Sequence, residues 1–257
     1  MNRHLFGERP KGADRNAKDC GLIQCLKGES MKKGTRKTSV NSSKILTGRV
    51  YAVILPLLWL FALGLSGCSS FMANYYNRSA SAPKNKPDEI IQSLALKPGM
   101  RIADLGAGGG YFTLRFARFV GEGGKVYAID INEGYLEIIE KEVKKAGLKN
   151  IQTILAKADD SLLAEGSVDL IFIRNVFHHL SAPEKYFGDL KTKLKPGGRI
   201  AIVEYKKLTF FSFTRIFRHY TPEEHVVETM RKAGYHLSQK YDFLEKQSFT
   251  LYSLVEN

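Results

Sequence analysis

From Pro87 onward the chain alternates between short apolar runs and longer stretches in which apolar residues return every three or four positions. The short runs read as strands: Arg101–Leu105, Lys125–Asp130, Ile151–Ala156, Val168–Ile173 and Arg199–Tyr205. The stretches between them read as helices. Between Asn132 and Ala146, the residues Tyr135, Leu136, Ile139, Val143 and Ala146 form one apolar stripe. Ser181-Ala-Pro-Glu184 and Thr221-Pro-Glu-Glu224 have the capping-box spacing that opens a helix, and Gly234 is placed to close the second one. Two last strand-like runs, Tyr235–Leu244 and Phe249–Val255, flank a polar tetrapeptide and read as an antiparallel hairpin. The pattern predicts an α/β fold: a doubly wound, mainly parallel seven-stranded sheet with helices on both faces and a C-terminal antiparallel hairpin.

The amino-terminal third is different. Residues 1–49 show no sustained apolar period and are not expected to form a core. Residues 50–65 then give sixteen positions without a charge, directly after a basic stretch. This is the order of the basic and apolar regions of an export signal. Leu65-Ser66-Gly67-Cys68 follows and resembles the lipobox of bacterial lipoproteins. The resemblance implies acylation of the Cys68 thiol, cleavage before it and a second acylation of the new amino terminus. Two or more acyl chains suffice for stable anchoring. The competing expectation is an uncleaved anchor. Sixteen helical residues span about 24 Å, short of a hydrocarbon core of about 30 Å, but no charge appears before Arg78. Met31-Lys32-Lys33 makes a more natural opening for such a signal than Met1, so translation is expected to start at Met31. Cys20 and Cys25 fall in the resulting extension and read as incidental. Residues 68–86, rich in Ser, Ala, Asn and Lys, read as a tether. The expected organisation is thus 1–67 extension and signal or anchor, 68–86 tether and 87–257 folded domain.

Composition changes this picture little. With 44% hydrophobic and 25% charged residues the chain is ordinary for a globular protein, which excludes wholesale disorder, a collagen-like repeat and a polytopic membrane protein. Three cysteines build no disulfide scaffold at this length. The net charge of +13 points first to nucleic acid or an anionic membrane. However, twelve basic and four acidic side chains in the first 67 residues carry +8 of it. The remainder is accompanied by no nucleic-acid motif, so nucleic acid is not an expected partner.

The chemistry is concentrated where the first strand meets the next helix: Ile102-Ala-Asp104-Leu-Gly106-Ala-Gly108-Gly-Gly110-Tyr111. Glycines here let the backbone approach a ligand at the carboxyl end of a strand. A dinucleotide fingerprint fails because its last glycine position is Tyr111, and no phosphate-binding Gly-x-x-x-x-Gly-Lys-Ser/Thr is present. What fits is Asp-x-Gly-x-Gly-x-Gly from Asp104 to Gly110. A carboxylate on the loop suits a cation and repels a phosphate.

This loop resembles the first motif of class I S-adenosylmethionine-dependent methyltransferases, and further matches come in that family's order. The second strand ends in Asp130, whose two oxygens can accept both ribose hydroxyl protons. Ala158-Asp159-Asp160 follows the third strand, where the resemblance implies that Asp159, or else Asp160, faces the adenine amino group. The fourth strand exits through Asn175, His178 and His179, placed above the cofactor, and Leu194-Lys-Pro-Gly-Gly198 precedes the fifth. The resemblance spans residues 87–257. It implies S-adenosyl-L-methionine as cofactor, bound by Asp104, Gly106, Gly108, Gly110, Asp130, Asp159 and Asn175. Tyr111, His178 and His179 are the candidate bases by position. No metal is expected, because no cluster has metal-ligand spacing.

The expected reaction is in-line methyl transfer to a small or hydrophobic, lipid-like acceptor. The overall pattern is similar to quinone-biosynthesis C-methyltransferases. Residues 206–220 interleave Phe210, Phe211, Phe213 and Phe217 with Lys206, Lys207, Arg215 and Arg218, and read as a cover over the site. The basic segment before the apolar run places the domain on the periplasmic or extracellular side, lipid-anchored. An uncleaved anchor with a cytoplasmic domain is the alternative. Export separates the domain from a cofactor made in the cytoplasm, so a binding module without catalysis is the second functional expectation. The sequence implies no particular oligomeric state.

Overall fold

The computed structural model describes residues 69–206 and 220–255. The apolar run 50–65, Cys68 and the aromatic cover from Lys207 to His219 lie outside the described residues. Among those described, no helix is long and apolar enough to cross a membrane.

Seven strands form one sheet: β1 Arg101–Leu105, β2 Lys125–Asp130, β3 Ile151–Leu155, β4 Val168–Arg174, β5 Leu194–Tyr205, β6 Tyr235–Tyr241 and β7 Gln247–Leu254. Their order is β3-β2-β1-β4-β5-β7-β6. The first five are parallel, and β7 runs antiparallel to both β5 and β6. The expected fold is therefore what the chain adopts, with the hairpin inserted so that β7 pairs with β5 and β6 becomes an edge. Burial follows position. Central β1 and β4 are buried along nearly their whole length, as parallel strands covered on both faces must be. Edge strand β6 is largely exposed, and edge strand β3 has no fully buried residue.

The helices are α1 (residues 69–81), α2 (Pro87–Ser93), α3 (Tyr111–Val120), α4 (Glu133–Ala146), α5 (Pro183–Leu190) and α6 (Glu223–Lys232). Alternate residues of the same strands feed two cores. Ala103, Leu105, Ile171, Ile173, Ile200 and Ile202 pack with Phe187 and Leu190 of α5 and Val226 and Met230 of α6. Ile102, Val126, Leu170, Phe172, Ala201 and Val203 pack with Ile90 and Ile91 of α2 and Phe112 and Phe116 of α3. The strand period of two thus builds a layer of helices on each face.

The structure corrects several expected boundaries. Residues 69–86 are not a tether: 69–81 are helical and Pro83–Asn85 form a 3₁₀ turn, so the folded unit begins well before Pro87. Ala156 leaves the β3 ladder, although its N–H still donates to the Asp130 carbonyl at 2.9 Å. Strand β6 ends at Tyr241 rather than Leu244, which is buried against the α2–α3 core, and β7 starts at Gln247. Neither capping box forms. Helix α5 has Ala182 as N-cap with Pro183 at its first position, and α6 has Pro222 as N-cap, both without a side-chain cap. The Thr221 N–H instead donates to the Tyr205 carbonyl, which ties the start of α6 to the end of β5. On α4, Leu136 and Ile139 are buried, whereas Ala146 of the predicted stripe is exposed.

Candidate active site

Strand order reverses between β1 and β4, and their carboxyl ends open a crevice where ligands of such sheets bind. A cavity of about 730 Å³ occupies it, lined by the glycine loop, the ends of β1, β2, β4 and β5, and one face of α1. The volume suits a nucleoside-sized ligand together with a small partner.

The loop is built by backbone bonds to β2. The N–H groups of Gly106 and Ala107 both donate to the Ile129 carbonyl, at 2.8 and 3.0 Å. Gly106 has φ +76°, and a Cβ there would collide with the Val176 side chain. Gly108 and Gly110 also take positive φ, so the spacing of these three glycines is a backbone requirement. Gly109 is needed for another reason: a Cβ on it would strike the Ala73 carbonyl and Asn77 of α1.

Helix α1 closes one side of this cradle. Asn77 Nδ2 donates to the Gly109 carbonyl at 2.9 Å, and Asn77 Oδ1 accepts from the Tyr111 N–H at 3.2 Å. The Tyr76 ring lies edge-on to Tyr135, 5.7 Å between centroids. Asn77→Ala removes both bonds, a loss of about 1–2 kcal/mol. Faster hydrogen exchange at Tyr111 and several-fold weaker cofactor binding are the expected results, with the core strands unaffected.

Asp130 sits at the end of β2, buried. Its Oδ2 accepts from the Gly108 N–H at 2.9 Å and its Oδ1 from the Asn132 N–H at 3.0 Å. Burial pushes its pKa up, and the N–H donors of Gly108, Asn132 and Ile131 oppose that. Asp104, on the facing strand end, accepts from the Thr113 hydroxyl at 2.5 Å. Burial raises its carboxyl to about 7, helped by the nearby Asp130 charge and opposed by Thr113 and Arg174.

The exit of β4 supplies the rest. Asn175 takes φ +56° and its Oδ1 accepts from Gln247 Nε2 at 2.7 Å. His178 Nδ1 lies 2.9 Å from Oε1 of Glu204, a carboxylate at the end of β5 with no solvent exposure. The His178 and His179 rings stand 4.0 Å apart, and both residues line the cavity. Tyr111 lines it too, its hydroxyl accepting from Arg115 Nη1 at 3.0 Å. Asp159 is placed elsewhere. It lies in a separate cleft of about 460 Å³ with Asp160, Lys185 and Asp189, while Ala156, Lys157 and Ala158 line the large cavity.

Residues 96–250 match the family model of the methyltransferase domain. The chain belongs to this family. Among curated methyltransferases, it is 30% identical over 132 residues to the ubiquinone/menaquinone biosynthesis C-methyltransferase UbiE of Vibrio vulnificus strain YJ016, covering 51% of each chain. The UbiE protein of Shewanella pealeana is 30% identical over 118 residues, 46% of this chain and 47% of that one. The chain thus spans about half the length of these relatives. A solved S-adenosylmethionine-dependent methyltransferase from Aquifex aeolicus superposes with a TM-score of 0.66 at 27% identity, over 71% of this chain and 97% of that one. The cyclase SpnF, 21% identical, shares the fold alone, with a TM-score of 0.55 over 63% and 60% of the two chains. The chain carries a class I methyltransferase domain, and S-adenosyl-L-methionine is the cofactor that goes with that family.

The residues present fit that cofactor. Gly106 and Gly109 form a cradle that any Cβ would fill, and Asp104 and Asp130 put two buried carboxylates in the cavity wall. Carboxylates suit an ammonium group and paired hydroxyls, and would oppose a phosphate. Among the described residues, no group of three or more His, Cys, Asp and Glu is arranged to hold a metal. Sequence reasoning missed Asn77 and Tyr76 on α1, Tyr135, Arg174, Glu204 and Gln247. For Arg174 and Glu204 a signal existed: each is a charged residue directly after a four-residue apolar run, 170–173 and 200–203, at the carboxyl end of its strand.

Proposed function

We propose that this methyltransferase methylates a small, flat, hydrophobic acceptor, using His178 as general base. The carrying observation is the His178–Glu204 pair, an imidazole held by a fully buried carboxylate in the cavity that contains the glycine loop. Nδ1 is the ring nitrogen that meets Glu204, so proton exchange with the acceptor is assigned to the opposite nitrogen, Nε2. Glu204 Oε1 also accepts from the Tyr205 N–H at 2.8 Å, which locks the carboxylate in place. Bound S-adenosyl-L-methionine supplies a methyl carbon activated by its sulfonium. The chain's own task is to align the acceptor and remove its proton.

The cavity mouth supports an apolar acceptor. Met72, Tyr75, Tyr76, Ile131 and Leu180 line it, with Tyr75 and Ile131 well exposed. The relatives named as quinone-biosynthesis C-methyltransferases point the same way. Labelled methyl transfer to a cell lipid extract tests the activity. His178→Ala is expected to lower kcat by about 10²–10⁴-fold with cofactor affinity unchanged. An unchanged kcat would remove His178 from the mechanism.

We also propose that the protein is held at a membrane through acylated Cys68, with the domain on the outer side. Support comes from the uncharged run 50–65, the Leu65–Cys68 sequence, and α1 being helical from residue 69 with Phe71 and Tyr75 exposed. Incorporation of labelled fatty acid that Cys68→Ala abolishes is the expected result, and protease accessibility in spheroplasts reads the side.

A further inference from the structure

Arg174 is the last residue of β4 and lines the cavity, yet no side chain of the described protein neutralises it. Its Nε and Nη2 are buried without a hydrogen-bond partner, and no carboxylate approaches within ion-pair distance. Burial pulls its pKa down. The ionisable groups facing it, Tyr205, Glu204, Asp104 and Tyr111, pull the other way without contact. The guanidinium lies 5.9 Å from the Phe112 ring centroid, on the α3 face of the sheet. Nε and Nη2 share the edge of the guanidinium that takes two oxygens of a carboxylate. A buried cation with that edge unmade is costly unless a ligand completes it.

The register identifies its neighbour. Asp104 pairs with Phe172, so Arg174 stands two residues further along the adjacent strand on the same face. A buried carboxylate and a buried guanidinium therefore line the same cavity wall without pairing with each other, matching the opposite charges of an α-amino acid. We propose that Arg174 is the carboxylate subsite of the cavity, filled by the amino-acid end of S-adenosyl-L-methionine, with Asp104 facing its ammonium group. This rests on the assignment of the cofactor. It gives Arg174 a binding role separate from the acceptor and from the His178–Glu204 pair.

Calorimetry on the full chain tests it with two probes, S-adenosyl-L-methionine and its decarboxylated form. Wild-type protein is expected to prefer the intact cofactor by about tenfold or more, the worth of a charge-assisted bidentate contact. Arg174→Met should erase that preference by weakening only the intact form, and Arg174→Lys should retain part of it. Equal weakening of both probes would mean a structural role and overturn the proposal. So would an unchanged preference, which would assign the guanidinium to the acceptor. No binding of either probe to wild-type protein would instead overturn the cofactor assignment itself.

Discussion

Asp130→Ala is expected to weaken S-adenosyl-L-methionine binding by about 100-fold or more, with the fold intact. Two oxygens of a buried carboxylate can each accept from a ribose hydroxyl, and charge-assisted hydrogen bonds contribute about 1.5–3 kcal/mol apiece. The same carboxylate already holds the Gly108 and Asn132 N–H groups, so alanine also loosens the glycine loop. Asp130→Asn separates the two contributions. The amide oxygen can still accept one of the two backbone bonds, but the charge is gone. Calorimetry should therefore rank wild type, then asparagine, then alanine, while circular dichroism stays unchanged. An alanine variant binding as tightly as wild type would remove Asp130 from the cofactor site.

How much of this could be read from the chain depends on whether the signal is local. The glycine loop is legible because positive φ at Gly106, Gly108 and Gly110 restricts residue type at fixed spacing. Asp130 is legible because it ends an apolar strand. Helix α1 was hidden: its Ser-, Ala- and Asn-rich composition resembles a tether, and its order comes from contacts made over 30 residues away, Asn77 to Gly109 and Tyr111. The Thr221 capping box misled for a related reason, since the Thr221 N–H is taken by the β5 end. Asp159 shows a third limit. Lys157 and Asp160 exchange backbone bonds across a tight turn, which leaves Asp159 exposed at its tip. Sequence order cannot tell which way such a turn faces.

The second large effect concerns Asp104, where function and stability oppose each other. Its folded pKa is about 7, against 3.8 for the free side chain, chiefly because of burial. Between those values the folded state holds a proton that the unfolded chain releases, so stability falls as pH rises. The loss is complete above about pH 7 and amounts to on the order of 2–4 kcal/mol. Asparagine does not ionise and can still accept from Thr113. Asp104→Asn is therefore expected to match wild type near about pH 4 and to melt higher above about pH 7. Cofactor binding should move oppositely. An ammonium group binds the carboxylate but not the carboxylic acid, so wild-type affinity should fall by up to about tenfold per unit below about pH 7. The variant should bind more weakly at neutral pH and lose that dependence. Melting curves and calorimetry across this range read both. A variant that melts below wild type above about pH 7 would show that the buried charge is compensated in the empty site. A pH-independent wild-type affinity would show that Asp104 does not face the cation.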